Sequence, residues 1–267
     1  MNKGGKKLQG VEVPLHWRDP KNGDVWALAV LERRKDLRST SNNPFDGRSP
    51  RKLRGPTFGD TLKNHDGRSR VVSVALKDRA AILMGGYRAD EVLWFDRSGR
   101  WTTSRYYRSD GILPPWLQTL NTSITSSQDA TYRWSHKSSS GRVDDGPQAV
   151  DVQVRQKTYQ ALSTPYGDQL TLQATKAAMR AHKLGQDEVP DALWVSFSSF
   201  DRAGHRSGPN TATMEGMFLA ADRAVADLLN HLEAHVPGGL DAVVVAVTVR
   251  SNAPEICWPG CSCRPSN

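Results

Sequence analysis

Four residues set out the chemistry this chain could carry: Lys77, Arg79, Asp201 and His205. Asp201 and His205 stand four apart in "SSFDRAGHRSGPNT" (Ser198 to Thr211), behind the apolar run "DALWVSF". A carboxylate oxygen and an imidazole nitrogen are ordinary zinc donors, and a strand end holds them on a rigid support. Asp-x3-His is a common spacing, and two donors do not make a site, so a plain polar turn stays open as the alternative. Lys77 and Arg79 flank Asp78 at the end of a second apolar run. Arginine's planar fork and lysine's point charge together can clamp a phosphoryl group. A solvated ion-pair cluster with Asp78 is the other account of the same three residues.

The elements that must position these groups are legible from pattern. "RSRVVSVALK" (Arg68 to Lys77) is a β-branched apolar run suited to a buried strand. "EVLWFD" and "GRWTTSRYY" predict a hairpin through Ser98-Gly99. "LPPWLQTLN" opens a short helix after its prolines, and Asn121 to about Pro147 reads as a loop-rich excursion. Thr164-Pro165 starts a helix with Leu170, Ala174, Ala177, Ala178 and Ala181 at helical spacing, stopping near Gly185. A strand from Leu193 to Ser199, the polar loop, a helix from about Thr213 to Ala234 and a strand from Ala242 to Thr248 complete a βαβ unit. That unit implies an α/β fold: a mostly parallel sheet flanked by helices, with function gathered past the strands' carboxyl ends.

Before these elements, residues 1–55 form a basic irregular lead with a hairpin turning at Asn22-Gly23. Ser49-Pro50 is expected to open a helix reaching about Lys63. The net charge of +8 is concentrated in "ERRKDLRST" and "GRSPRKLRG". Such a stretch attracts phosphate-bearing ligands, but no aromatic residues interleave with it as in RNA-binding motifs, so nucleic acid is not an expected partner. No apolar run approaches the roughly 18 residues of a membrane span. "MNKGGKKLQGVEVP" has no apolar stretch behind its charges, so a cytoplasmic chain is expected from these residues alone. Cys257, Cys261 and Cys263 form a C-x3-C-x-C tail without companion ligands, which favours an unstructured end over a zinc site. "HLEAH" (His231 to His235) puts its glutamate third, not second as in a zincin helix, and His16, His65, His136 and His182 show no partners.

Three stretches in order, "RVVSVALKDRAAILMGGYRADEVLWFDRSGRWTTSRYY", "TPYGDQL" and "PDALWVSFSSFDRAGHRSGPNT", resemble the type I phosphodiesterase and nucleotide pyrophosphatase branch of the alkaline phosphatase superfamily. They are most similar to its monoesterases with a Lys-x-Arg phosphate-binding pair. The resemblance implies an incomplete alkaline-phosphatase-like α/β domain over residues 56–248 and a phosphate ester substrate. Asp201 and His205 then match ligands of one of two zinc ions, and Lys77 and Arg79 match the pair that holds substrate phosphate. The implied reaction is phosphoryl transfer on a two-zinc site, through a phospho-enzyme on threonine or serine that water hydrolyses. Family membership also implies a periplasmic or secreted protein.

The chain departs from that pattern in two places. The stretch bearing the family's nucleophile has no match, so no catalytic nucleophile is assigned. The run "AVVVAVT" leads not into an Ala-Asp-His-Gly motif but into Val249-Arg250-Ser251. Residues 249–267 are expected to be an unstructured tail, of the kind a shifted reading frame leaves. The expectation is a truncated, inactive member of a zinc-dependent phosphomonoesterase family. A non-catalytic remnant that binds phosphate or metal is the alternative. Oligomeric state is not legible.

Overall fold

The computed structural model describes residues 5–8, 11–14, 17–18, 25–26, 31–32, 47–96, 98–127, 131–136, 148–153, 158–208 and 211–247. The lead contributes short antiparallel pairs: β1 (Gly5–Leu8) with β2 (Val11–Pro14), β3 (Trp17–Arg18) with β4 (Val25–Trp26), and β5 (Leu31–Glu32) with β6 (Gly47–Arg48). Asn22-Gly23 lies between β3 and β4, outside the described residues, as do Cys257, Cys261 and Cys263.

No helix starts at Ser49-Pro50. Ser49 is buried and its hydroxyl accepts the Arg51 N–H, and Leu53 N–H closes a turn on the Pro50 carbonyl. The helix α1 (Phe58–His65) opens at Thr57 instead. Thr57 and Asp60 form a reciprocal capping box, which satisfies two backbone N–H groups at the helix start. The second Asp60 oxygen accepts the backbone N–H groups of Tyr87 and Arg88, each at 2.8 Å. This buried carboxylate therefore ties α1 to the far end of the next helix.

The central sheet has the order β12-β7-β8-β9. β7 (Val71–Ala75), β8 (Glu91–Phe95) and β12 (Ala192–Ser196) are parallel, and β9 (Trp101–Thr102) returns antiparallel to β8. Every residue of β7 and β8 is buried, as the continuous apolar runs require of strands covered on both faces. The period of two divides them between two cores. Val72, Val74, Leu93 and Phe95 meet α3 (Pro115–Ser127) and α5 (Pro165–His182) through Leu117, Leu170 and Ala174. Ala75, Val92 and Trp94 meet α2 (Asp78–Gly85) through Ala81 and Ile82 on the other face. Each fully buried valine adds about 1.5–3 kcal/mol of transfer free energy. Gly85 lets α2 lie this close, since a Cβ there would stand 2.8 Å from Val92.

Several expectations need correction. α3 runs 13 residues and takes in Asn121 to Ser127, because Asn121 is buried and its amide clasps the Trp101 backbone on both sides at 2.8 Å. The supposed loop-rich excursion also contains the hairpin of β10 (Thr131–His136) and β11 (Gln148–Gln153). In α5 the buried stripe runs through Leu170, Thr171, Ala174, Thr175, Ala178 and Met179, leaving Ala177 half-buried and Ala181 exposed. The polar stretch after β12 is not a loop but α6 (Ser199–Ser207), which ends where Gly208 takes a positive φ of 78°. Beyond α7 (Ala212–His235), the run from Ala242 forms no strand among the described residues. A short 3-10 turn (Gly239–Ala242) ends there, and Val244 and Val247 are 98% and 65% exposed. Among the described residues β12 is thus the sheet's edge, and four of its five residues are only partly buried. A four-residue helix, α4 (Thr158–Ala161), precedes α5.

Candidate functional site

The site grows from one register. β7 and β12 are neighbours, with Ala75 paired to Ser196 at their carboxyl ends. Two residues beyond Ala75 the chain reaches Lys77, which is still extended (φ −104°, ψ 129°) and is the N-cap of α2. Beyond Ser196 it enters α6, and Asp201 lies in that helix's first turn. Side chains leaving the two strand ends therefore converge, and the Lys77 Nζ forms an ion pair with Asp201 Oδ2. Residues 124 apart in sequence meet because their strands are adjacent.

α6 sets the second contact. Residues i and i+4 share a helix face, so His205 lies over Asp201 with Nε2 3.4 Å from Oδ1. His205 is largely exposed, and Asp201 is partly so. Partial burial pushes the Asp201 carboxyl upward. The Lys77 hydrogen bond and the charges of Lys77, His205 and Arg79 outweigh it and hold the group below the ordinary carboxylate range. Asp201 is accordingly an anion in a cationic surrounding. Asp78 does not pair with the side chain of either flanking cation: it forms an ion pair with Arg48 and accepts the Arg79 backbone N–H at 2.7 Å. The structure thus brings Lys77, Asp201 and His205 together, with Arg79 close enough for its charge to act on Asp201.

As a cation site this arrangement is partial. Asp201 offers two oxygens and already holds a cation, the Lys77 ammonium, and His205 adds an imidazole nitrogen on the same side. The donor chemistry fits a zinc-class ion, which takes three or four protein ligands. Among the described residues no group of three or more His, Cys, Asp or Glu side chains could hold a metal. The His231 and His235 rings stack at 3.9 Å, and Asp227 is the acidic group whose charge acts on His231. His182 does have a partner: Nε2 is 3.3 Å from Glu91 Oε2, beneath the sheet's opposite end.

Two residues of this region escaped the sequence. Arg48, in the basic lead, occupies Asp78. Asp168, in the first turn of α5, is buried and accepts the backbone N–H of Ser199 at the start of α6. An acid near a helix start was visible in "TPYGDQL", but its tertiary partner was not.

An α/β protein with a mostly parallel sheet, gathering charged groups past the carboxyl ends of adjacent strands, is the class this fold and site define. The chain belongs to the type I phosphodiesterase / nucleotide pyrophosphatase family, whose model matches residues 15–248. It is 32% identical over 224 residues to alkaline phosphatase PafA of Elizabethkingia meningoseptica, covering 75% of this chain and 40% of that protein. To alkaline phosphatase PhoV of Synechococcus elongatus it is 30% identical over 247 residues, covering 84% of this chain and 44% of the relative. The crystal structure of wild-type alkaline phosphatase PafA superposes with a TM-score of 0.68 at 28% identity, over 83% of this chain and 46% of that one. The chain spans about two fifths of the length of these curated relatives. No described helix is long and apolar enough to cross a membrane.

Proposed function

We propose that this chain carries the phosphate-binding cations and part of one metal site of a phosphoric ester hydrolase of the phosphomonoesterase kind. The observation that carries the reading is the meeting of Lys77 and Asp201 at the ends of neighbouring parallel strands. The family match and the alkaline phosphatase relatives support it.

In this reading Asp201 and His205 hold a zinc ion together with donors beyond these two. When bound, that ion acts as a Lewis acid toward phosphoryl oxygens. Lys77 and Arg79 bind the anion, with Arg79 able to present two parallel N–H groups and Lys77 a single point charge. Asp201 neutralises Lys77 in this structure, and with its carboxylate engaged in metal binding Lys77 would be free to turn to phosphate.

The same reading gives the chain alone little or no turnover, because Val249-Arg250-Ser251 stands where the family's Asp-His pair is expected. Its place of action, by family, is the periplasm or outside the cell. The test is hydrolysis of an aryl phosphate by the purified chain with and without zinc. Zinc-dependent turnover abolished by Asp201→Asn would overturn the inactivity while supporting the site. Zinc-independent turnover, or turnover indifferent to Asp201, would overturn both.

A further inference from the structure

We infer that Asp168 is a positioning residue for the metal-binding face of α6, acting as its N-terminal cap from another helix. Nothing in the chemistry of Lys77, Arg79, Asp201 or His205 accounts for it. α6 begins without a cap of its own: Ser198, at the N-cap position, makes no side-chain cap hydrogen bond. A short helix lacking a cap leaves its first N–H groups unpaired and its first turn loosely held. Asp168 Oδ1 supplies the missing acceptor, taking the Ser199 N–H at 3.1 Å from 31 residues away.

The contact is built for close approach. Asp168 is 1% exposed and Ser199 is fully buried. Gly167, beside Asp168, lets the two helices touch, because a Cβ there would stand 2.4 Å from the Ser199 hydroxyl oxygen. Asp201 follows Ser199 by two residues in the same turn. Whatever fixes the Ser199 amide fixes the start of the helix, and with it the directions in which Asp201 and His205 project. An acidic group at this helix start also opposes the positive end of the helix dipole.

The inference rests on the metal-binding reading of Asp201 and His205, so the test has two arms. Asp168→Leu keeps the shape and removes the acceptor, whereas Asp168→Asn keeps an acceptor oxygen. Asp168→Ala serves in place of Leu should the longer side chain unfold the protein. In the first arm, amide hydrogen exchange of the full metal-free chain is followed by mass spectrometry. Asp168→Leu is expected to lower protection in residues 199–207 about tenfold while β7 and the body of α5 keep theirs, and Asn is expected to restore it. In the second arm, cobalt(II) binding weakens several-fold in the Leu variant and not in the Asn variant. Unchanged protection of α6 in the variants without an acceptor, or an equal loss spread over the whole chain, would overturn the inference. Failure of Asn to restore protection would do the same. If the wild-type chain binds no cobalt, the metal reading falls, and the exchange arm still decides whether Asp168 holds α6.

Discussion

Removing a lysine from a charged site usually weakens binding there, but replacing Lys77 with methionine is expected to tighten metal binding here. In the metal-free chain the Lys77 ammonium is the cation that Asp201 holds, so an incoming metal must displace it. The Lys77 and Asp201 side chains are 21% and 38% exposed. Solvent screening at that exposure limits the pair to about 1 kcal/mol. Releasing Asp201 from it converts to roughly fivefold tighter metal binding. Methionine keeps most of the apolar stem of lysine, so packing changes little. Cobalt(II) titration followed by absorption reads the affinity, with Cys257, Cys261 and Cys263 changed to serine so that thiolates do not compete for the ion. Asp201→Asn and His205→Ala serve as variants that lose the donors. The same Lys77 variant is expected to bind inorganic phosphate more weakly, because the displaced ammonium is one of its two cations. Metal affinity that falls or stays level in Lys77→Met would refute the claim that Lys77 and the metal share Asp201.

Burial raises the Asp168 carboxyl from 3.8 to about 6 against the opposing Ser199 N–H, so the folded chain prefers it protonated. The stability that Asp168 contributes is then fully present below pH 4 and is lost as pH rises through about 6. Asp168→Asn lacks this dependence, and its stability relative to wild type is expected to grow by about 2 kcal/mol between pH 4 and pH 7 in urea titrations. Asp60→Ala removes the capping box of α1 and the acceptor for Tyr87 and Arg88, and a loss of about 2–3 kcal/mol is expected by thermal unfolding. Arg108→Met removes the guanidinium that the fully buried Glu91 takes at Oε2 at 2.6 Å and leaves His182, 3.3 Å away, as its partner, so a loss of about 3 kcal/mol is expected by the same assay. Glu91→Gln in that background is expected to recover part of the loss.

What the sequence made legible followed from pattern strength. The valine run of β7, the Ser98-Gly99 hairpin and the Thr164-Pro165 start of α5 carry local signals that tertiary contacts reinforce, and all three form. α6 was hidden because Gly204 and Gly208 permit tight backbone and Pro209 argues against a continuing helix, so the stretch reads as a loop. Its helix is secured by a buried carboxylate 31 residues upstream, which no local pattern reports. The run from Ala242 shows the converse: β-branched composition predicts a strand, but a strand needs a neighbour, and these residues have none among the described ones. Type and spacing singled out the four site residues but left a polar turn and a surface ion-pair cluster open, and the family resemblance gave the residues their roles. Their meeting depends on β7 and β12 being adjacent, which spacing alone does not specify.

The most direct measurement is calorimetric titration of inorganic phosphate into the full chain with and without zinc, repeated for Lys77→Met, Arg79→Met and Asp201→Asn. If zinc takes Asp201 and so frees Lys77, phosphate affinity rises severalfold with zinc, and by reciprocity zinc affinity rises equally with phosphate. The gain disappears in Lys77→Met and in Asp201→Asn, and Arg79→Met weakens phosphate binding with or without the metal. Phosphate binding that ignores zinc, or that survives loss of both Lys77 and Arg79, would contradict the account.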